Sequence, residues 1–475
     1  MNTENIVGKR FGDGVVTRLE RLEPCESEIY KIDFEISYGK ESLIKNRLLI
    51  PKEWNGRFVG IGNGGIAGVL GDAWYSFAKD GYAAAQSDLG TCALRLGEIE
   101  VASDDLWADY GHRAIHGMTV TAKAIIGQLT GDAPVYSYFY GASAGGKSAL
   151  SEAQLHPTDY DGIVAGVPSN NGLAFITYLL WCYRKLGGDV GYPLIGAELS
   201  LKINECAVEF FKACGRAENG DDFITYPYCG ENTVRDFMDF LCERIPELTE
   251  EQRAALRDVY TGPKNPRTGE QIFCGMPIGS EVNTGYFLGD GITDTFELPW
   301  NRIFYGGGFN DLKFDFDRDF ERMLEGIGEH MSSNETDLSS FKANGGKLLV
   351  FSGAADPYGP FADHLNYYCR VCDRMGGIGN VADFFKYFII PGKGHSTDGR
   401  GANMFTTNDT AADMIALIRA WREDGTPPEK LEVAHKYSDD HGGGYKFKRC
   451  VYAVDKIGKE GIDYPVCTSE RILKK

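Results

Sequence analysis

Residues 141–148 match two motifs that imply different chemistry. Residues 141–145 read Gly-Ala-Ser-Ala-Gly and match G-x-S-x-G, the turn that presents a serine nucleophile in many hydrolases. The stretch also matches G-x-x-x-x-G-K-S/T, a phosphate-binding loop in which Gly146, Lys147 and Ser148 would contact a nucleotide. Both motifs need a strand before them and a helix after them, so the local sequence leaves both interpretations open.

The phosphate-binding interpretation makes demands on the rest of the chain that are only partly met. Such a loop normally follows the first strand of its sheet, and a later apolar strand should end in a magnesium-binding Asp. Here several predicted strands precede residue 141, and Asp356 follows an apolar strand only after residues 352–355. This weakens the phosphate-binding alternative without removing it.

The hydrolase interpretation predicts two partner residues, and both are found. A serine nucleophile requires a base, and the base requires an acid that holds it in the correct tautomer. In hydrolases with this turn the three occur in the chain order Ser, Asp, His, each after a strand. Ser143, Asp356 and His395 occur in that order, and each follows a predicted strand. We therefore predict Ser143 as the nucleophile, Asp356 as the acid and His395 as the base.

A glycine-rich turn early in the chain could help to stabilise an oxyanion. Residues 62–65, Gly-Asn-Gly-Gly, follow the short predicted strand 57–61. Glycine lets backbone N–H groups approach a ligand closely, although a simple turn would use the same residues. Hydrolases of this kind take one oxyanion N–H from the residue after the serine, here Ala144, and a second from a loop after an early strand.

Strands and helices alternate along most of the chain, which predicts an α/β fold with a mostly parallel sheet covered by helices on both faces. Helices are predicted for residues 107–129, 146–155 and about 407–423, and the tail beyond His435 is predicted to be mostly irregular. The predicted strands are residues 29–37, 46–51, 57–61, 81–88, 136–140, 161–168, 346–353 and 384–390.

The alternation is lost between residues 171 and 344, where helical segments rich in Glu and aromatic residues are separated by Gly/Pro loops. This stretch is too long for a loop and predicts an inserted subdomain. We therefore predict a catalytic domain of residues 1–170 and 345–475, with an inserted domain of residues 171–344.

Potential metal ligands are sparse in the sequence. His112 and His116 lie one helical turn apart, a spacing that could bind a metal, but no carboxylate or third histidine is arranged nearby in the sequence. Cys369 and Cys372 form the single C-x-x-C among twelve cysteines. We expect structural roles for these histidines and no zinc at this cysteine pair.

The charge and hydropathy of the chain argue against two classes of partner. A net charge of −19 would repel nucleic acids and anionic membrane surfaces. No apolar run reaches the length of a membrane-spanning helix, and residues 1–5 lack the features of a signal peptide. We expect a cytoplasmic enzyme with mostly reduced thiols, unless a leader has been removed. The sequence does not indicate an oligomeric state.

Several segments resemble the tannase and feruloyl esterase family. The most specific is the run 138–150, Tyr-Phe-Tyr-Gly-Ala-Ser-Ala-Gly-Gly-Lys-Ser-Ala-Leu, with its continuation at 156–168. The similarity extends from about residue 46 to the last predicted helix, with shorter matches at residues 81–90, 114–123, 248–252, 260–263 and 337–347. The resemblance implies an α/β-hydrolase fold with a large lid domain inserted between the nucleophile and the acid.

The resemblance also implies roles for individual residues. It assigns Ser143, Asp356 and His395 as nucleophile, acid and base, and it implies an oxyanion hole formed by Ala144 and the turn of Gly64 and Gly65. A further residue, Lys147, stands where the family usually has Arg, so it need not be a phosphate ligand.

The implied activity is the hydrolysis of esters of aromatic acids, such as hydroxycinnamic, gallic or related phenolic acids, through an acyl-enzyme. Two alternatives stay open: a nucleotide-binding protein that uses residues 146–148, and a homologue that binds a ligand without catalysis. Lid aromatics are candidates to hold the substrate ring, among them Tyr178, Trp181, Tyr226 and Phe287.

The chain departs from the family at two cysteine positions. The family typically has a Cys before the nucleophile and another after the catalytic His, joined as a disulfide. Here the two positions are Ala142 and Ser396, and losing both together suits a protein made without oxidising conditions. We predict that packing, rather than a covalent bond, positions the two loops.

A second departure concerns calcium, which the lid of this family often binds. The corresponding stretch, residues 214–224, retains Glu218, Asp221 and Asp222, but at a different spacing. Because oxygen ligands must converge on one ion, the changed spacing argues against binding. We expect no metal or cofactor, and calcium at these three residues is the remaining alternative.

Overall fold

The computed structural model describes residues 6–22, 28–71, 74–218, 220–227, 232–283, 299–407, 409–437 and 444–456. Within them ten strands form one sheet. These strands are β1 (Arg10–Phe11), β2 (Gly14–Leu22), β3 (Ile29–Ile36), β4 (Ile44–Pro51), β5 (Arg57–Ile61), β6 (Ala83–Ser87), β7 (Tyr136–Ala142), β8 (Gly162–Gly166), β9 (Lys347–Gly353) and β10 (Phe385–Ile390).

The sheet has an antiparallel part and a parallel part. Its strand order is β1-β2-β3-β4-β6-β5-β7-β8-β9-β10. Strands β1 to β4 pair antiparallel, as do β4 and β6, whereas the six strands from β6 to β10 across the sheet run parallel. The predicted fold class is confirmed, and every predicted strand is present within two residues of its expected ends. The strands β1 and β2 were not predicted.

Fourteen α-helices in the described ranges surround the sheet and fill the insertion. They are α1 (Tyr75–Lys79), α2 (Cys92–Arg95), α3 (Asp104–Ala108), α4 (Ala114–Thr130), α5 (Ala144–Leu155), α6 (Gly172–Tyr183), α7 (Ala197–Ala213), α8 (Thr233–Arg244), α9 (Glu250–Thr261), α10 (Pro299–Tyr305), α11 (Arg318–Met331), α12 (Ser339–Ala343), α13 (Phe361–Arg374) and α14 (Thr410–Asp424). A π-helical segment, Asp109–Arg113, joins α3 to α4. None of the helices in the described ranges is long and apolar enough to cross a bilayer.

Two apolar clusters form the core, one on each face of the sheet. Successive side chains of a strand point to opposite faces, so Phe139 of β7 belongs to one cluster and its neighbour Tyr138 to the other. Strands β6, β8 and β10 are buried along their whole length, as expected for parallel strands covered on both faces. The first cluster continues into the helices between β8 and β9, so the inserted region shares a core with the sheet. The exact bounds of the inserted domain stay a prediction.

The prediction of a mostly irregular tail beyond His435 is wrong for residues 445–452, which form a strand. Residues Lys430–Lys436 form β11 and residues Tyr445–Tyr452 form β12, which pair as a separate antiparallel hairpin. The second strand carries three Lys or Arg residues within eight positions, which hides its strand character. Its apolar side chain Val451 packs with Leu431 and Val433 into the second cluster.

Candidate active site

Ser143 occupies a strained turn between β7 and α5. Its φ of 59° and ψ of −121° lie in a region that non-glycine residues rarely adopt. The turn is held by backbone hydrogen bonds, from Ser143 N–H to the Gly166 carbonyl at 2.9 Å and from Ser169 N–H to the Ser143 carbonyl at 3.1 Å. The side chain does not cap α5, as a serine at a helix start usually would, so its hydroxyl stays available for chemistry.

The glycines around Ser143 are required by close packing. A Cβ on Gly141 would lie 2.1 Å from the carbonyl oxygen of Gly145, and one on Gly62 would lie 2.7 Å from the Cα of Gly145. A Cβ on Gly146 would lie 2.6 Å from the carbonyl oxygen of Gly166. These contacts bring α5 against β8 and against the turn that follows β5. The glycine pattern of residues 141–146 therefore needs no phosphate to explain it.

Lys147 and Ser148 point into the protein. The Lys147 side chain is buried, its Nζ donates to the Gly111 carbonyl at 2.7 Å, and burial lowers its pKa to about 7. The Ser148 hydroxyl donates to the Ala144 carbonyl at 3.2 Å. A phosphate-binding loop would direct both side chains at a ligand, so the nucleotide-binding alternative is not favoured.

Asp356 and His395 form a hydrogen-bonded pair. His395 Nδ1 lies 2.8 Å from Asp356 Oδ2, while the N–H groups of Tyr358 and Gly359 donate to Oδ1 at 2.8 and 2.9 Å. Burial by itself raises the pKa of Asp356, but His395 and the two backbone N–H groups outweigh it and hold that pKa below its usual value. The carboxylate is therefore ionised at neutral pH, and His395 Nδ1 must be the donor of this bond.

The hydrogen bond to Asp356 also determines the pKa and the tautomer of the His395 imidazole. Burial by itself lowers the pKa of His395, but the charge and hydrogen bond of Asp356 outweigh it and raise that pKa above 6.5. With Nδ1 carrying the proton, the free nitrogen of the neutral ring is Nε2, as a general base requires. The His395 side chain is 27% exposed, so a substrate can reach it.

The acid and base loops are joined through backbone contacts. Ala355 N–H donates to the Lys393 carbonyl at 3.0 Å. A Cβ on Gly353, at the end of β9, would lie 2.3 Å from that same carbonyl oxygen. Ser396 donates from its N–H to Asp398 Oδ1 at 2.7 Å. These bonds show how the loop can be held without a disulfide; the effect of lacking cysteines at positions 142 and 396 stays a prediction.

The predicted oxyanion donors lie on adjacent backbone segments. Gly62 N–H donates to the Tyr140 carbonyl at 2.8 Å, which pins the turn of residues 62–65 to β7. A Cβ on Gly64 or on Gly65 would meet no atom within 4 Å, so this turn faces open space. Gly64 N–H donates to the Asn63 side chain at 3.1 Å. The N–H of Gly65 and the N–H of Ala144, the first in α5, are therefore the stronger candidates for oxyanion donors.

Sequence reasoning missed the residues that hold the acid. The segment Asp356-Pro-Tyr-Gly is a turn signature in which an Asp side chain accepts backbone N–H groups two and three residues on, so the signal was present. The Tyr358 ring also stands edge-on to the His395 ring, with centroids 5.8 Å apart. A second buried histidine, His364, lies between the Pro168 carbonyl and the Ser352 hydroxyl, each at 2.6 Å, and burial lowers its pKa to about 4.

The lid aromatics that we proposed as ring binders are engaged in packing. Tyr178 is fully buried and its hydroxyl donates to the Pro357 carbonyl at 2.8 Å, beneath the acid loop. Trp181 Nε1–H donates to the Asp258 carbonyl at 3.1 Å. The buried Tyr226 ring packs on Phe361 at 5.6 Å. Phe287 lies outside the described residues.

The three candidate calcium ligands are paired with cations of the chain itself. Both oxygens of Asp221 accept from the Arg449 guanidinium, at 2.9 and 3.0 Å, and Asp222 accepts from Lys446. The Glu218 carboxylate lies 3.8 Å from Arg449. Strand β12 thus supplies positive charge where a calcium ion would otherwise be needed, and we propose that no calcium binds there.

Lys446 also connects the segment of residues 221–224 to the loop that carries His395. Its Nζ donates to the Arg400 carbonyl at 3.0 Å. A Cβ on Gly392 would lie 2.6 Å from the Phe223 ring, so residues 221–224 pack directly on the segment that leads to His395. We call these contacts, made by Asp221, Asp222, Phe223, Lys446 and Arg449, the β12 junction.

Comparisons with known proteins identify relatives of this chain. An uncharacterized esterase of Xanthomonas campestris pv. campestris is 29% identical over 445 residues, which cover 85% of this chain and 76% of the relative. Feruloyl esterase B of Aspergillus niger is 27% identical over 453 residues, covering 90% of this chain and 84% of the relative.

The fold has a solved counterpart as well. The crystal structure of feruloyl esterase B from Aspergillus oryzae superimposes with a TM-score of 0.78 at 20% identity, covering 94% of this chain and 93% of that one. The model of the family described as tannase and feruloyl esterase matches residues 34–454. Since that match spans most of the chain, this protein belongs to the tannase and feruloyl esterase family.

Proposed function

We propose that this esterase hydrolyses esters of phenolic acids, such as hydroxycinnamic or gallic acid, through an acyl-enzyme formed on Ser143. The observation that carries the proposal is the hydrogen bond of 2.8 Å between Asp356 and His395. The two residues lie on loops that follow the carboxyl ends of β9 and β10. Ser143 lies on a strained turn after the parallel strand β7. The names of the relatives, feruloyl esterase B among them, supply the acyl class.

The proposed reaction has two steps that use the same groups. His395 Nε2 takes the Ser143 proton as Oγ attacks the ester carbonyl, and the imidazolium then returns a proton to the leaving alcohol. Water, deprotonated by His395, hydrolyses the acyl-enzyme in the second step. The N–H groups of Ala144 and Gly65 would stabilise the oxyanion in both steps. Asp356 holds Nδ1 protonated throughout, so that Nε2 always faces the reacting atoms.

Replacement of Ser143 by Ala tests the assignment. We expect kcat on methyl ferulate to fall by a factor on the order of 10⁴ to 10⁶, because the nucleophile is lost. Ser148→Ala is the matched control, since that hydroxyl donates only to the Ala144 carbonyl, and it should retain activity. Retained turnover in Ser143→Ala, or magnesium-ATP binding that Ser148→Ala abolishes, would contradict the proposal.

A fluorophosphonate probe separates an active esterase from a homologue that only binds ligand. Mass spectrometry of the labelled wild type should find the phosphonyl group on Ser143 alone. A chain that binds ferulate but resists the probe would be a binding protein. A panel of methyl ferulate, methyl gallate and methyl benzoate then defines the acyl group through kcat/KM.

A further inference from the structure

Three potential metal ligands from two distant segments converge beside α4. His116 lies in the first turn of α4, while His156 and Asp159 lie on the loop between α5 and β8. One ligand atom from each residue lies within 4.8 Å of the others. His116 Nδ1 is 2.7 Å from Asp159 Oδ2, and the two imidazole rings stack at 3.7 Å. The residues that look isolated in the sequence are thus neighbours in space.

Imidazole nitrogen and carboxylate oxygen are the ligands that zinc and similar divalent transition metals prefer. Zinc bonds of about 2.0–2.2 Å place neighbouring ligand atoms roughly 3.4 Å apart around a tetrahedral ion. The three atoms lie within 4.8 Å of one another, and because the two rings stack at an angle of only 7°, the His156 ring must turn before both lone pairs can meet one ion. Since both rings are only partly buried, the His156 ring can turn out of its stack on the surface without disturbing the apolar core.

A buried glutamate, Glu152, lies beside the three potential ligands. Glu152 is 1% exposed and its Oε2 has no hydrogen-bond partner among the described residues. A side-chain hydrogen bond joins Glu152 to Asp159, so this acid lies directly behind one of the three ligands.

A lysine of α4 contacts the same loop. Lys123 directs its Nζ at the backbone carbonyl of Asp159 rather than at the side chain.

We propose that His116, His156 and Asp159 bind a divalent transition metal of the zinc type, with Glu152 as the buried acid beside it. The three ligands leave one tetrahedral position for solvent. Asp159 precedes β8, whereas Ser143, Asp356 and His395 all follow carboxyl ends of strands, so the ion takes no part in ester hydrolysis. Its role is to tie α4 to the loop between α5 and β8.

Titration calorimetry with ZnCl₂ on the full chain, stripped with EDTA, tests the proposal without any substrate. The wild type should bind one zinc per chain. His156→Gln and Asp159→Asn should each weaken binding by at least about tenfold, as the loss of a ligand or of its orienting partner does elsewhere. His112→Gln is the matched control, because His112 lies one turn away and stacks on His330 instead.

The Co²⁺ form distinguishes this site from the cysteines of the chain. Imidazole and carboxylate ligands should give d–d bands without thiolate charge-transfer absorption, and the bands should disappear in His156→Gln. His156 lies at the end of α5 and is partly exposed, so its replacement should fold. A wild type that binds no stoichiometric metal, a thiolate spectrum, or equal affinity in His156→Gln and wild type would overturn the proposal.

Discussion

The molecule contains two histidine–aspartate pairs with nearly the same hydrogen-bond length and very different surroundings. His395 and Asp356 are 2.8 Å apart, and His116 and Asp159 are 2.7 Å apart. Asp356 is fully buried and accepts two further bonds from backbone N–H groups, whereas the Asp159 side chain is 12% exposed. In both pairs the carboxylate raises the pKa of its histidine.

The two pairs differ in what surrounds each imidazole on the side away from its carboxylate. The His395 loop follows a strand of the parallel sheet on the same edge as the strained Ser143 turn, with open space at the Gly64–Gly65 turn. The His116 ring instead stacks on a second imidazole, that of His156. A His–Asp pair is therefore no active site by itself. The fold decides whether it lies on the same sheet edge as a candidate nucleophile or stacks on another potential metal ligand.

Replacing the acid of each pair should separate them most strongly. Asp356→Asn should lower kcat by a factor on the order of 10³ to 10⁴, since the imidazole loses its orientation and tautomer. Asp159→Asn should act on the free energy of unfolding, by about 1–2 kcal/mol, through a lost and partly exposed charged hydrogen bond. Kinetics on methyl ferulate and urea denaturation measure the two effects. A similar fall in kcat for both variants would contradict the distinction.

A substitution that displaces only the loop of the His395–Asp356 pair should have the next largest effect on kcat. Gly353→Ala places a Cβ 2.3 Å from the Lys393 carbonyl oxygen and must displace the His395 loop. A shift of about 1 Å can cost on the order of 10²-fold in kcat.

Gly425→Ala is the control for this change, because its Cβ meets no atom within 4 Å and its φ of 68° only ends α14. It should lose about 1 kcal/mol of stability and keep its kcat. Full activity in Gly353→Ala would show that the two loops do not depend on this contact.

The pH profile should reveal the charge state of His395. The base must be neutral to act, and its pKa is raised above 6.5 by Asp356. Activity should therefore fall as the pH drops through a midpoint above 6.5, tenfold per pH unit below it. Asp356→Asn should move this acid limb to lower pH in the residual activity. A midpoint below 6.5 in the wild-type kcat/KM would argue that His395 is not paired with an ionised Asp356.

Disrupting the β12 junction should have the smallest effect on kcat. Arg449→Gln removes the two bonds to Asp221, and we expect a loss of about 1–3 kcal/mol in stability and a change of a few-fold in kcat through the His395 loop. Arg235→Gln is the control, since Arg235 pairs only with an exposed neighbour, Asp236. Calcium should not raise the Tm of the wild type. A calcium-dependent Tm would show that an ion displaces the Arg449 contact.

Much of the sheet edge that carries the candidate catalytic residues could be predicted from the sequence. Strand periodicity and the glycines that interrupt it are local signals, and they placed Ser143, Asp356 and His395 after β7, β9 and β10. The same signals failed for β11 and β12, because short strands rich in Lys and Arg look like a solvated tail until their apolar side packs on the core. The catalytic roles themselves stay predictions until Ser143 is tested.

What the sequence determined by itself is therefore the order of the strands β3 to β10, the family resemblance and the candidate triad, since these depend on neighbouring residues and on motif spacing. Only the tertiary structure decided that Lys147 donates to Gly111, that Arg449 pairs with Asp221, and that His156 and Asp159 join His116. Each of these contacts links residues far apart in the chain. They form because helices and loops pack across the sheet, and no local pattern records that packing.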